Sequence, residues 1–279
     1  MLKDVTFGQY YPAKSFVHRM DPRVKILLVI AYIVFVFLIK SFIGFLPLIV
    51  FFSFTVALSR VPVGSVFRSV KGILFLVIFA AVLNLFFYGG NDAKVLEIAG
   101  YPLKWWIFSV TEQGIINAAF MSLRLVLLVL GTCVLTLTTT PMDLTEGIES
   151  LLKPLTYIKF PVHELALIMS IALRFIPTLM EETDRIVNAQ KSRGADFESG
   201  NIFRRIKAMV PILIPLLVSA FRRAEELGDA MDSRCYSGAK GRTKYKVLRM
   251  GYRDLLGAFA AALVLTAIIL INIYFPHIV

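Results

Sequence analysis

Two hexapeptides in this chain carry the same chemistry. Gln190-Lys191-Ser192-Arg193-Gly194-Ala195 and Met231-Asp232-Ser233-Arg234-Cys235-Tyr236 each hold one arginine between small residues: Ser192 and Gly194 around Arg193, Ser233 and Cys235 around Arg234. A guanidinium is a planar fork of donors that stays charged, so it suits gripping carboxylates and carbonyl oxygens and does not suit proton transfer. Small neighbours let a partner approach closely. An arginine so flanked arises about once by chance in a chain of this size and composition. Arginine followed by glycine is also an ordinary way to end a helix, the cation meeting the dipole and the glycine supplying the left-handed stop. Two copies in equivalent positions are less easily assigned to either cause.

The other residues capable of chemistry are scattered. His18, His163 and His277 fall in different regions, which does not favour a metal site. Glu181, Glu182 and Asp184 adjoin on one helix and read as a solvated acidic face. Cys133 lies in an apolar stretch and Cys235 in a basic one, so the two are expected unpaired, and no zinc spacing exists. Arg124 falls near the middle of an apolar segment, where an unpaired charge costs at least about 2.5 kcal/mol. It must face protein or water, either on a substrate path or, as the favoured reading, against a backbone carbonyl or a partner subunit. Asn84 is a weaker case of the same kind. No cofactor or metal site is expected.

The elements that position the two arginines follow from spacing. Thr140-Pro141-Met142-Asp143 has the cap, first-turn proline and early acid of a helix start, and that helix ends before Pro154. A second helix begins after Pro161, with Leu165, Ile168, Met169, Ala172, Ile176, Leu179, Ile186 and Gln190 stepping by threes and fours. Arg193 follows Gln190 by three. A third helix repeats the pattern through Ile206, Val210, Leu213, Leu217, Phe221, Ala224, Leu227 and Met231, and Arg234 extends it by three. Pro211 and Pro215 interrupt its bonding, which membrane or buried helices tolerate. The apolar stretches 165–173 and 208–221 are shorter than a span and read as partly buried or interfacial, with insertion as a pair the alternative.

Composition sets the class around them. Of 279 residues, 57% are hydrophobic and 23 are Phe, and the mean hydropathy is +0.74, too apolar for a soluble domain. The chain is expected to be an all-α polytopic membrane protein with about five transmembrane helices, at 24–39, 42–58, 73–88, 115–137 and 255–275. A cytoplasmic coupling region of amphipathic helices lies between the fourth and fifth. The expected organisation is a membrane region over 1–137, the coupling region over 138–253 and a last span over 254–279. Trp105-Trp106 suits the membrane interface.

Orientation accounts for the net charge of +11 better than nucleic acid does. With the N-terminus inside, Lys3, Lys14, Arg19, Arg23, Lys25, Arg60, Arg68 and Lys71 are cytoplasmic, while Lys40, Lys94 and Lys104 are outside, as is the C-terminal Pro276-His277-Ile278-Val279. No cleavable leader is apparent, so the N-terminus is expected to be retained.

With these residues in view, the chain resembles, over nearly its whole length, the transmembrane T component of energy-coupling factor (ECF) transporters, the CbiQ-like family. Tyr11-Pro12 and the run Ser15-Phe16-Val17-His18-Arg19-Met20-Asp21-Pro22-Arg23-Val24-Lys25 look like the family's opening. Leu123-Arg124-Leu125 through Thr136-Leu137-Thr138-Thr139-Thr140-Pro141 is similar to its fourth span and exit, and Ala172-Leu173-Arg174-Phe175-Ile176-Pro177 through Glu181-Glu182 to Ala189-Gln190 is similar to its coupling region. The family's paired Ala-Arg-Gly motifs fall on Ser192-Arg193-Gly194 and Ser233-Arg234-Cys235, so serine stands for alanine twice and cysteine for glycine once. The resemblance implies a noncatalytic scaffold in a prokaryotic cell membrane. It would link two ABC-type ATPase subunits, each receiving one arginine in a groove, to a substrate-binding membrane S component for vitamin or transition-metal uptake.

Two other classes compete. A membrane enzyme would need clustered acids on facing helices, and the spans hold almost no carboxylates. A self-contained secondary transporter would need broken polar helices or repeated halves, and neither is evident. The glycine-rich lysine loop of P-loop ATPases is also missing from the sequence, so energy must come from another subunit.

Overall fold

In a computed structural model the described residues are 10–87, 97–98, 101–102, 104–105, 108–109, 112–195, 197, 202–238, 248 and 250–274. The described residues of the apolar segments marked out by length and hydropathy are almost all helical. In chain order these are α1 (Pro22–Leu38), α2 (Phe45–Ser59), α3 (Val63–Phe87), α4 (Glu112–Thr138), α5 (Pro141–Leu152), α6 (Val162–Ser192), α7 (Ile202–Asp232) and α8 (Tyr252–Tyr274). Two antiparallel pairs of two-residue strands, Glu97–Ile98 with Tyr101–Pro102 and Lys104–Trp105 with Phe108–Ser109, lie between α3 and α4. The chain is an all-α polytopic membrane protein. The side chains of Trp105 and Trp106 and the C-terminal Pro276-His277-Ile278-Val279 lie outside the described residues.

Among the described residues, four segments are long and apolar enough to cross a bilayer: Phe42–Ser59, Gly114–Thr138, Val162–Ser192 and Tyr252–Tyr274. The third differs from the sequence expectation, in which only 165–173 is apolar and interfacial. Its helix runs without a break through Pro177, so an apolar first half and an amphipathic second half form one rod of 31 residues, about 46 Å long.

The described residues divide into two units, one within 148–238 and one of 10–147 with 248–274. In the latter, α1 is central. Tyr32, Phe35, Val36 and Ile39 pack with Phe45 and Leu48 of α2, Phe120 and Leu127 of α4, and Ala261 and Ile268 of α8. A second cluster joins Val61 and Val66 to Leu130, Cys133 and Leu137 of α4. The outward faces carry large bare apolar side chains such as Phe75, Phe54 and Phe259, as expected where the surrounding solvent is lipid.

Polar contacts fix the ends of α1 in this unit. Asp21 caps its N-terminus by accepting from the Arg23 N–H at 2.9 Å, and Pro22 occupies the first turn where no donor is needed. The Asp21 N–H donates to Asp254 Oδ1 at 2.8 Å, and Asp254 Oδ2 accepts from the Gly251 N–H at 2.7 Å. One carboxylate thus ties the start of α8 to the start of α1. At the other end, the Leu38 carbonyl accepts from Asn272 of α8 at 2.8 Å and the Ile39 carbonyl from Arg124 of α4 at 2.8 Å. Two orphan carbonyls of a helix end are satisfied by side chains from two other helices. Thr140 opens α5 as its sequence implies: its Oγ1 accepts from the Asp143 N–H at 3.1 Å and donates to Asp143 Oδ2 at 2.7 Å.

In the other unit, α6 and α7 pack together. Each is 31 residues long. Arg223 Nη2 of α7 meets Glu182 Oε2 of α6 at 3.7 Å.

Candidate functional site

The two arginine hexapeptides build the same object. At the end of α6, the Gly194 N–H donates to the Lys191 carbonyl at 3.0 Å and the Ala195 N–H to the Gln190 carbonyl at 3.0 Å. At the end of α7, the Cys235 N–H donates to the Asp232 carbonyl at 2.9 Å and the Tyr236 N–H to the Met231 carbonyl at 3.1 Å. Both are the paired closing bonds of a Schellman helix end, which need a left-handed residue after the last turn. Gly194 has φ 84° and Cys235 φ 55°. Cysteine therefore takes the glycine's conformation at the second motif, at a steric cost that glycine does not carry.

The serines match as well. Ser192 Oγ donates to the Asn188 carbonyl at 3.1 Å and Ser233 Oγ to the Asp229 carbonyl at 2.8 Å. Each hydroxyl is turned back into its own helix, so serine presents to the outside little more than the alanine of the resembled motif would. Arg193 and Arg234 are exposed, as are the residues on either side of them. Glu182 precedes Arg193, and Arg223 precedes Arg234, by the same eleven residues. Each arginine therefore stands about 16 Å along its helix from the α6–α7 ion pair. Two exposed cations at equal reach from one helix contact, on identical stiff helix ends, can enter two sockets of a partner.

Around them α6 and α7 leave apolar surface bare. Ile206, Leu213, Leu217 and Phe221, all on the sequence-derived stripe of α7, are more than half exposed, and so is Ile168 of α6. An apolar face of this extent marks contact with another protein or with lipid.

The remaining candidates resolve individually. Arg124 is midway along α4 but level with the end of α1. Besides its bond to the Ile39 carbonyl, its guanidinium lies 4.7 Å from the Phe120 ring centroid and 5.9 Å from that of Phe37, so it makes the backbone-carbonyl contact that the favoured reading requires. Asn84 Nδ2 donates to the Ala80 carbonyl one turn earlier at 2.9 Å. His163 Nδ1 lies 3.3 Å from Glu149 Oε1. Cys133 is buried and Cys235 exposed, and the two do not form a disulfide with each other. Among the described residues no group of three His, Cys, Asp or Glu side chains gathers.

In the sequence Lys25 stands only as a cytoplasmic charge and as the last residue of the run that resembles the family's opening. It is buried, and its ammonium donates to the carbonyls of Thr138 at 2.9 Å and His18 at 3.2 Å and to Thr139 Oγ1 at 3.4 Å. A lysine in the first turn of α1 therefore closes the last turn of α4. His18 belongs to the same knot: its Nε2–H donates to the Tyr11 carbonyl at 2.9 Å, which leaves Nδ1 to accept from Ser15 Oγ at 2.7 Å. Burial holds its pKa below the ordinary value, against the opposing pull of the Tyr11 carbonyl. The motif run from Ser15 to Lys25 is thus a folded plug. A cation in the first turn of a helix, preceded by an Asp–Pro cap, is the signal that could have marked it.

Residues 13–245 match the family model of CbiQ, described as a cobalt transport protein. The energy-coupling factor transporter transmembrane protein EcfT of Clostridium kluyveri is 49% identical over 274 residues, covering 98% of this chain and 99% of that protein. The protein of the same description from Ruminiclostridium cellulolyticum is 47% identical over 275 residues, with 99% and 100% covered. That from Bacillus subtilis is 46% identical over 248 residues, with 89% and 91% covered.

Proposed function

Because the chain belongs to the CbiQ cobalt-transport family, as a transmembrane component of the energy-coupling factor type, we propose that it is the noncatalytic coupling subunit of an importer. It joins two ABC-type ATPase subunits to a substrate-binding membrane subunit that takes up a vitamin or a transition metal. The observation that carries this reading is the pair of identical helix ends. Arg193 and Arg234 each dock in a groove of one ATPase subunit, and α6 and α7 carry the ATPases' closing motion as stiff rods. The bare apolar face of α6 and α7 supports contact with the membrane-embedded partner. The N-terminus and the docking ends face the cytoplasm of a prokaryotic cell, where ATP is available.

Arginine fits this role because its donors can meet carboxylates and carbonyls at several angles at once. Desolvated at the centre of an interface, each is a hot spot whose truncation costs about 2 kcal/mol or more. Co-purification of the membrane complex with its ATPase subunits tests this directly. Arg193→Ala and Arg234→Ala each weaken ATPase capture about 30-fold and reduce uptake, with the thermal midpoint of the isolated chain unchanged. Full capture and uptake by both variants would remove the arginines from the coupling role.

A further inference from the structure

A slot in the unit formed by α1, α2, α4 and α8 fits neither ATPase docking nor simple packing. It is an apolar cavity of about 480 Å³. Its lining covers the same length of each helix: Lys25 to Tyr32 on α1, Phe51 to Leu58 on α2, Gly131 to Thr138 on α4 and Leu256 to Leu263 on α8. Seven residue steps are two helical turns, about 10 Å. These are the N-terminal parts of α1 and α8 and the C-terminal parts of α2 and α4, which meet at one end of the bundle, so the slot runs from that end toward the bilayer centre. One leaflet's share of the hydrocarbon is about 15 Å.

The walls differ in a way that gives the slot a side door. Val17, Met20, Lys25 and Tyr32 at its back are buried, while Phe54 of α2 and Phe259 and Leu263 of α8 are more than half exposed. Toward the opposite end, α2 and α8 close on each other through Phe45, Leu48 and Ile268. The opening therefore lies between α2 and α8 and faces lipid. Gly131 keeps the back wall in place, because a Cβ there would collide with the Tyr32 ring.

Three arginines stand at the rim. Arg19 lies between the lining residues Val17 and Met20, and Arg60 follows the lining residue Leu58 by two; both arginines are exposed. Arg253 holds its guanidinium 5.8 Å from the ring centroid of Phe16, which also lines the slot. Of the carboxylates at this end, Asp21 and Asp254 are buried and bound to backbone N–H groups, and the half-buried Asp143 accepts from Thr140 Oγ1 at the start of α5. An apolar slot about two-thirds of a leaflet deep, open sideways and rimmed by cations, complements a lipid with an apolar tail and an anionic head.

We infer that the slot holds one acyl chain of an anionic phospholipid, its headgroup at Arg19, Arg60 and Arg253. Only the leaflet, the cytoplasmic one, rests on the orientation proposed above.

The test uses the full chain in nanodiscs of phosphatidylcholine and phosphatidylglycerol, with a photoactivatable diazirine midway along the phosphatidylglycerol chain. Adducts concentrate on Phe54, Phe259 and Leu263, at least fivefold above Phe75 on the outer face of α3. Native mass spectrometry retains one phosphatidylglycerol per chain. Arg60→Gln with Arg253→Gln keeps the adducts but abolishes the preference over labelled phosphatidylcholine. Ala260→Phe, which fills the slot, removes the retained lipid. Equal labelling of Phe75 and the slot residues in the unaltered chain would overturn the proposal, whether or not Ala260→Phe folds. So would loss of the adducts when the substrate-binding subunit is added, which would assign the slot to a partner helix. ATPase capture is read separately, so failure here leaves the coupling reading standing.

Discussion

Cys235 shows how far a residue's role can be read from its type. At φ 55° it holds the left-handed position that Gly194 holds at φ 84°, and both helix ends close with the same pair of backbone bonds. By type alone, cysteine marks a loss of backbone freedom, which puts the second motif in doubt. The fold keeps the geometry and accepts the strain, on the order of 1–2 kcal/mol for a side-chain-bearing residue in this region. Cys235→Gly should therefore raise the chain's stability by up to about 1 kcal/mol, the relief being partly offset by the greater freedom of glycine in the unfolded chain. Thermal unfolding of the two purified proteins measures it, and a lower midpoint for the glycine variant would mean that Cys235 is held by contacts outside its own helix end. The serines carry the same lesson. In sequence they stand for alanine, and in the fold a carbonyl four residues back in the helix occupies each hydroxyl.

Among the elements, α1 depends most on its neighbours. Its last carbonyls belong to Arg124 and Asn272, two side chains that are more than 80 residues away in sequence. The Arg124 bond is charge-assisted, worth about 1.5–3 kcal/mol, whereas the amide bond is worth about 0.5–1.5 kcal/mol. The Phe120 ring face adds to the former. Arg124→Leu should consequently lower the unfolding free energy more than Asn272→Leu does. Denaturation of the two variants in detergent decides it, and the reverse order would mean that desolvation of the guanidinium outweighs its bonds. This division also explains what is legible in the sequence. Helix periods, the Thr140 cap and the apolar stripes are local, so residue spacing alone reveals them. The Lys25–Thr138 and Asp21–Asp254 contacts join residues 113 and 233 positions apart, and no local period encodes such a meeting. That α6 runs on as one continuous helix is equally hard to read, because Arg174 and the interior Pro177 cut its apolar run short, although a helix with packed neighbours carries both.

At the scale of the whole molecule, stability and docking reside in different residues. Composition marks a membrane protein at once, but it does not say which apolar faces are covered. Buried side chains of α1, α2, α4 and α8 form the core of one unit, whereas both arginines of the other unit are exposed at its helix ends and add little to its packing. Substitutions at the arginines should therefore affect binding and leave folding intact. If a pair of ATPase subunits engages both helix ends at once, the losses add, because the two ends are separate sites with no shared contact. Two losses of about 2 kcal/mol combine to about 4 kcal/mol, so Arg193→Ala with Arg234→Ala should weaken capture roughly 1,000-fold against about 30-fold for either alone. If only one end docks, one single variant will be silent and the double variant will match the other. Titrating ATPase subunits against the unaltered chain and the three variants, reconstituted in nanodiscs, separates the two cases. Additivity supports a two-socket grip, and a silent arginine would reduce its helix end to an ordinary cap, the alternative that the sequence leaves open for each motif.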